Sequence, residues 1–248
     1  MVEFLKLGIL FFTGAVAGFI NVNAGGGSSL TLPVMIFLGL DSSVANGTNR
    51  IGILMQTFSS VSSFRKQQYH DFKISFTLAC FALPGAIAGA LISVQLSDSS
   101  FQKILGIIMI GIVISMIFSS QKKERSSTDS KQNWWLYPAM VGVGFYGGFI
   151  QVGVGFLLMA SLYYLLKVSL IRVNMHKVFI VFIYTIPALF VFILTKNVHW
   201  VFGIVLALGM ALGGWWGAKI AVKGGEKVIR MVLIGAIVIM ALKLLGIF

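Results

Sequence analysis

The sequence predicts an all-α polytopic membrane protein. It consists of two inverted repeats of five helical segments each, with short broken or re-entrant helices meeting near the membrane midplane. Three observations predict this: extreme apolarity, runs long enough to cross a bilayer, and an internal repeat. Of the 248 residues, 58% are hydrophobic, 10% are charged and 28 are glycine; the mean hydropathy is +0.95. A soluble domain carries about 25% charged residues, so this chain has little to present to water. Phe72–Val94, Phe101–Ser119 and Val201–Val222 are mostly apolar. At about 1.5 Å per residue, each is long enough for about 30 Å of hydrocarbon. The short alternating segments of a membrane β-barrel do not occur.

Ten apolar segments follow in order. Phe4–Val22 reads as a membrane segment, because MVEFLKLGILFF lacks the basic run and small-residue cleavage site of a signal peptide. Ser29–Leu40 is too short to span and is opened by the glycine-rich stretch AGGGSS. Asn46–Phe64 carries a polar face of Asn49, Gln56 and Thr57; Asn49 and Gln56 also suit interhelical hydrogen bonding, the favoured role for Gln56 taken alone. Phe72–Val94 and Phe101–Ser119 complete the first half; Gly85 and Gly89 form a small-residue packing ridge in the former. The polar run SSQKKERSSTDSKQN, Ser119–Asn133, reads as a flexible linker. The second half holds Trp134–Val154, the short Phe156–Leu166, Val173–Leu194, Trp200–Val222 and Val228–Ile247. The division is therefore a first repeat over 1–119, a linker over 120–133 and a second repeat over 134–248. Tryptophans 134, 135, 200, 215 and 216 sit near segment ends, as interfacial anchors do.

The halves align. GFINVNAGG (Gly18–Gly26) matches GFIQVGVGF (Gly148–Phe156), with Asn21 opposite Gln151 and Gly25 opposite Gly155. GAIAGA (Gly85–Ala90) matches GGWWGA (Gly213–Ala218), and Lys103 falls opposite Arg230. Self-similarity on this scale in a membrane chain indicates a duplicated, transporter-like fold. If every segment reverses direction, fourteen of the 19 basic residues fall on the side of the linker and five on the other. The positive-inside rule then places the linker in the cytoplasm and both termini outside. Five reversals per half invert the second half relative to the first. The net charge of +12 is accounted for by this topology, with no nucleic-acid partner required; the bilayer is the expected partner.

Irregular backbone survives in hydrocarbon only inside protein or beside a water-filled cavity, because each unpaired backbone group costs several kcal/mol. The stretch around Gly25, Gly26 and Gly27 must therefore be internal. Ser28 or Ser29 could cap the short helix that follows, and Pro33 is tolerable in its first turn. The free amides at its start, at the positive end of the helix dipole, suit an anion. Gly153–Gly155 opens the second short segment in the same way. The competing reading is that these glycines permit only tight packing or a tight turn; the matching polar copies favour a substrate site.

Charge agrees in sign. Glu3, Asp41, Asp71, Asp98, Glu124, Asp129 and Glu226, the whole acidic complement, lie at segment ends or in loops. Arg50 and the pair His176–Lys177 occupy equivalent places near segment starts. Ionisable groups at that depth are costly and usually functional; the alternative is that Arg50 and Lys177 snorkel to the interface. The candidate substrate-binding set is Asn21, Asn23, Gly25, Gly26, Gly27, Ser28, Ser29, Asn49, Arg50, Gln151, Gly153, Gly155, His176 and Lys177. The single Cys80 offers no metal cluster, no nucleophile–base pair stands out, and no cofactor is expected. Gly142-x-Gly144-x-x-Gly147 has dinucleotide-motif spacing but no preceding strand. The chain does not read as an enzyme.

GAVAGFINVNAGGGSSLTLPVMIFLGL (Gly14–Leu40) followed by SSVANGTN (Ser42–Asn49) resembles the TauE/SafE sulfite exporter family of bacterial membrane proteins. A second copy, GFYGGFIQVGVGFLLMASLYYLL (Gly144–Leu166), follows the linker as in that family, without the GGG run or the proline. The resemblance implies export of small sulfur-containing anions, such as sulfite, sulfonates or thiosulfate, across the bacterial inner membrane. A passive anion channel is the alternative; it would need a continuous polar pore.

Overall fold

The computed structural model describes residues 2–117 and 134–244, all organised around helices; the central linker lies outside the described residues. In order these are α1 (Val2–Asn23), α2 (Ser28–Phe37), α3 (Ser42–Lys66), α4 (Phe72–Ser93), α5 (Asp98–Ile117), α6 (Leu136–Phe149), α7 (Val154–Leu166), α8 (Leu170–Leu194) and α9 (Trp200–Leu244). The last is bent at Gly225, whose φ of 63° lies outside the helical range and splits it into two arms. The predicted gap between Val222 and Val228 is that bend. α1, α4, α8 and the arm Trp200–Gly225 are each long and apolar enough to cross a bilayer. With 10 and 13 residues, α2 and α7 are about 15 and 20 Å long and fall short.

Two predicted boundaries shift by four residues or more. α3 begins at Ser42, not Asn46, because the Ser42 amide donates to Asp98 Oδ1 at 2.6 Å and the Ala45 amide to the Asp41 carbonyl. A carboxylate at a helix start is favoured by the dipole, so the polar SSVANGTN run is helical. α6 ends at Phe149, not Val154: Ile150 is extended (φ −142°, ψ 131°) and Gly153 is left-handed (φ 74°).

Glycine and serine contacts fix the helix directions. Gly14 and Gly18 of α1 face Leu206 and Met210 of α9, and Gly217 lies on Phe19. Ser59 and Ser63 of α3 donate to the carbonyls of Ala211 and Trp215. Hence α1, α3 and the first arm of α9 run one way. Gly85 and Gly89 of α4 lie on Val141 and Phe145 of α6, and Ser75 meets His176 of α8 at 2.7 Å. So α4, α6 and α8 run together. They oppose the first set, because α3 passes Phe58 along Phe182 and Arg50 along Phe192. The small-residue ridges let these backbones meet closely, as in other membrane bundles. α2 doubles back, placing the Leu38 carbonyl 3.5 Å from Lys6 Nζ at the end where α1 starts.

The outer surface is apolar, and a set of polar side chains is buried within a largely apolar core. Phe12, Val16, Phe76, Leu91, Ile107, Phe190, Leu194, Leu208 and Leu212 are exposed, the face a bilayer covers. α3 is 25 residues long yet turns its polar side chains inward: Asn46, Thr48, Asn49, Arg50, Gln56, Thr57, Ser60 and Ser63 are all buried. One end of the bundle carries Lys66 over Trp215 and Lys219 over Trp216, and we call it the basic end.

Candidate functional site

The two helix breaks touch. A side chain at Gly25 would land on the backbone of Gly155, and one at Gly155 on the backbone of Gly25. Gly25 has a φ of 91° and Gly153 of 74°, conformations that glycine adopts without a steric penalty. So the interruptions that the sequence placed at matching positions cross backbone to backbone. The packing reading of the glycines holds for Gly27, where a Cβ would strike the Ala17 carbonyl. At Gly26 a Cβ would meet only the Phe156 ring.

Neither serine caps α2. Gly27 occupies the cap position with no side-chain hydrogen bond; Ser29 Oγ donates back to the Gly26 carbonyl at 2.6 Å, and Ser28 Oγ accepts from Asn49 Nδ2 at 3.0 Å. Asn49 also accepts from Thr31 at 2.7 Å. Ser28, Thr31 and Asn49 thus form a closed cluster tying α2 to α3. Among the described residues the amides of Gly26, Gly27 and Ser28 make no backbone hydrogen bond.

Arg50 and Lys177 do not snorkel. Both are buried, and each grips a helix end belonging to the other half of the chain. Arg50 Nη1 donates to the Gly147 carbonyl at 3.1 Å and Gln151 Oε1 at 2.9 Å, Nη2 donates to the Gly148 carbonyl, and the guanidinium lies 4.5 Å from the Phe192 ring centroid. These are carbonyls of the last turn of α6. Lys177 Nζ donates to the carbonyls of Asn21 (3.1 Å) and Val22 (2.6 Å), the last turn of α1, and to Asn174 Oδ1 (2.9 Å). The last carbonyls of a helix lack intrahelical partners and sit at the negative end of its dipole, so a buried cation satisfies both needs at once. Every one of these acceptors is a carbonyl or amide oxygen, so among the described residues neither cation is paired with a carboxylate. One donor near each stays unpaired: Arg50 Nε and Asn174 Nδ2.

Between the two cations lies a cavity lined by Asn21, Gln56, Thr57, Gln151, Val154, Gly155, Lys177, Val178 and Val181. Its water-accessible space is about 10 Å³, room for about one water. Asn21 Nδ2 donates to Gln56 Oε1 at 2.6 Å across it, and Gln151 Nε2 reaches Thr185 Oγ1 at 3.4 Å. Of the sequence-predicted set, Asn21, Gln151, Gly155 and Lys177 line the cavity, while Gly25 lies against Gly155 behind it. Asn23 instead bonds the Phe19 and Gly217 carbonyls, tying the end of α1 to α9. His176 turns to Ser75 of α4. Val154, Val178 and Val181 were not singled out from the sequence, where isolated valines in apolar helices carry no signal.

The chain matches the family model for the sulfite exporter TauE/SafE over residues 10–244. Among curated proteins it is 27% identical over 247 residues to a probable membrane transporter protein, ORF9, of Sinorhizobium sp, covering 98% of this chain and 94% of that one. It is 28% identical to the probable membrane transporter protein YfcA of Escherichia coli K12 (99% and 91% covered) and 25% identical to YunE of Bacillus subtilis (97% and 98%). No solved structure matches. A family match over nearly the whole chain, on a bundle with four candidate spans among the described residues, leaves one conclusion: the chain belongs to the sulfite exporter TauE/SafE family and is a multi-pass membrane transporter of that type.

Proposed function

We propose that the protein exports a small sulfur-containing oxyanion, such as sulfite, a sulfonate or thiosulfate, across a bacterial inner membrane. The observation that carries this reading is the cavity between Arg50 and Lys177, two buried cations without carboxylate partners among the described residues. A neutral or cationic solute gains nothing from that field, whereas an anion does. Asn21, Gln56, Thr57 and Gln151 supply hydrogen-bonding groups for substrate oxygens. The two halves act as inverted repeats, a reading supported by the opposed directions of α3 and α8 and the crossing of the two breaks. Rocking of one half against the other opens the narrow cavity to alternate faces. The basic end faces the cytoplasm and both termini lie outside, as the distribution of Lys and Arg supports.

The test is counterflow in proteoliposomes preloaded with unlabelled sulfite. Saturable uptake of labelled sulfite, competed by a sulfonate or thiosulfate and not by a neutral sulfone of similar size, is expected. Equal competition by the neutral sulfone, or no oxyanion flux, would overturn the reading.

A further inference from the structure

We infer that Arg50 and Lys177 are the two gates of the transporter, each closing one side of the central cavity by latching the broken helix of the opposite half. This rests on the proposal that the cavity lies on the transport path. The order of groups along α8, starting from the basic end, carries the inference. First comes an open pocket shared by Arg172 and Met175 with Tyr69, His70 and Asp71. Next is Lys177, holding the Asn21 and Val22 carbonyls. Val178 and Val181 then line the cavity, Thr185 meets Gln151, and Phe192 meets Arg50.

The cavity is thus bounded by Lys177 and the end of α1 on the basic side. On the other side it is bounded by Arg50 and the end of α6, where Asn46 also reaches the Phe149 carbonyl at 2.9 Å. α1 reaches the cavity from the far end of the bundle and α6 from the basic end, so each broken helix delivers its last carbonyls to the side opposite its start. Each latch joins the two halves: Arg50 is 97 residues from Gly147, and Lys177 is 155 residues from Val22. Rocking one half against the other therefore has to break one latch, and keeping the second closed maintains the seal. A cation on bare carbonyls is suited to this, because an arriving anion competes for it and opens the gate only when substrate is present.

The experiment measures thiol access without substrate, so a failure here is separable from a failure of the oxyanion assay. Cys80, the only cysteine, is replaced by serine and Val181→Cys is the reporter. A membrane-impermeant methanethiosulfonate is applied to inside-out and right-side-out vesicles. Lys177→Met is expected to raise the reaction rate about tenfold or more from the basic end alone. Arg50→Met is expected to do so from the other end alone. This is the scale of one lost charge-assisted hydrogen bond. Asn174→Ala and Gln151→Ala remove one acceptor from each latch while leaving the cation, and should give smaller increases with the same sidedness should the methionine variants not fold. Lys177→Arg should restore protection. Equal gains from both ends, gains from the wrong end, or unchanged access in all four variants would overturn the assignment.

Discussion

Replacing Gly25 with alanine tests the crossing of the two helix breaks. At a φ of 91° an L-residue carries a steric penalty of about 1–2 kcal/mol. The added Cβ would also land on the Cα and carbonyl carbon of Gly155. Those are backbone atoms that cannot rotate away, and overpacking of this kind costs about 1–3 kcal/mol. The two terms together give about 2–5 kcal/mol for Gly25→Ala. Gly155→Ala carries only the overlap, about 1–3 kcal/mol. Gly26→Ala meets only the edge of the Phe156 ring, which can swing aside, so it is the mildest of the three. At about 2–4 °C per kcal/mol for a chain of this size, Gly25→Ala should melt about 4–20 °C lower than the unsubstituted protein. Thermal unfolding in detergent, followed by size-exclusion fluorescence at one fixed heating rate, reads the order Gly25→Ala below Gly155→Ala below Gly26→Ala. Melting of both Gly25→Ala and Gly155→Ala at the unsubstituted temperature would refute the backbone crossing.

Other consequences are as direct. Gly27→Ala should destabilise by about 1–3 kcal/mol through the Ala17 carbonyl, lowering the melting temperature with substrate affinity unchanged in the folded fraction. Gln56→Glu places a carboxylate in the cavity; since like-charge contact costs several kcal/mol, oxyanion affinity measured by calorimetry should fall about a hundredfold or more, whereas Gln56→Ala should lose far less. Single cysteines introduced between positions 120 and 131 should react only with reagents that reach the cytoplasm, and a tag after Phe248 should be accessible from outside; a cytoplasmic tag would break the five-plus-five reversal.

Much of the fold was legible because the bilayer imposes it. Length and apolarity mark α1, α4, α8 and the first arm of α9 directly, and α2 and α7 stand out as apolar runs too short to cross. Glycines at positions 25 and 155 announced two breaks, and the repeat implied that they meet, which the contact between those glycines bears out. Where the reading went astray, a long-range contact decided. The start of α3 depends on Asp98, 56 residues away, and hydropathy alone places it too late. The end of α6 coincides with Arg50 holding the carbonyls of Gly147 and Gly148, a partnership that no local pattern encodes. The same blindness hid the engagement of the two cations. Their placement near segment starts suggested either free substrate-attracting charges or snorkelling, yet both are buried and hold carbonyls of the opposite half, with Arg50 Nε left unpaired. Ser28 and Ser29 looked like helix caps on residue type, and the tight turn at Gly26–Gly27 turned them to other partners.

Ligand binding to the purified protein addresses the anion site most directly. Thermal shift is measured with sulfite, thiosulfate, taurine, sulfoacetate, sulfate and chloride, and with a neutral sulfone as control. A ligand that binds only the folded state adds about 2.7 kcal/mol of apparent stability at a hundred times its dissociation constant, well above detection. At least one sulfur oxyanion should stabilise the protein, the neutral sulfone should not, and Lys177→Gln or Arg50→Gln should weaken the shift without abolishing it. Stabilisation by the neutral solute or a cation, with no oxyanion effect at any concentration, would contradict the anion site.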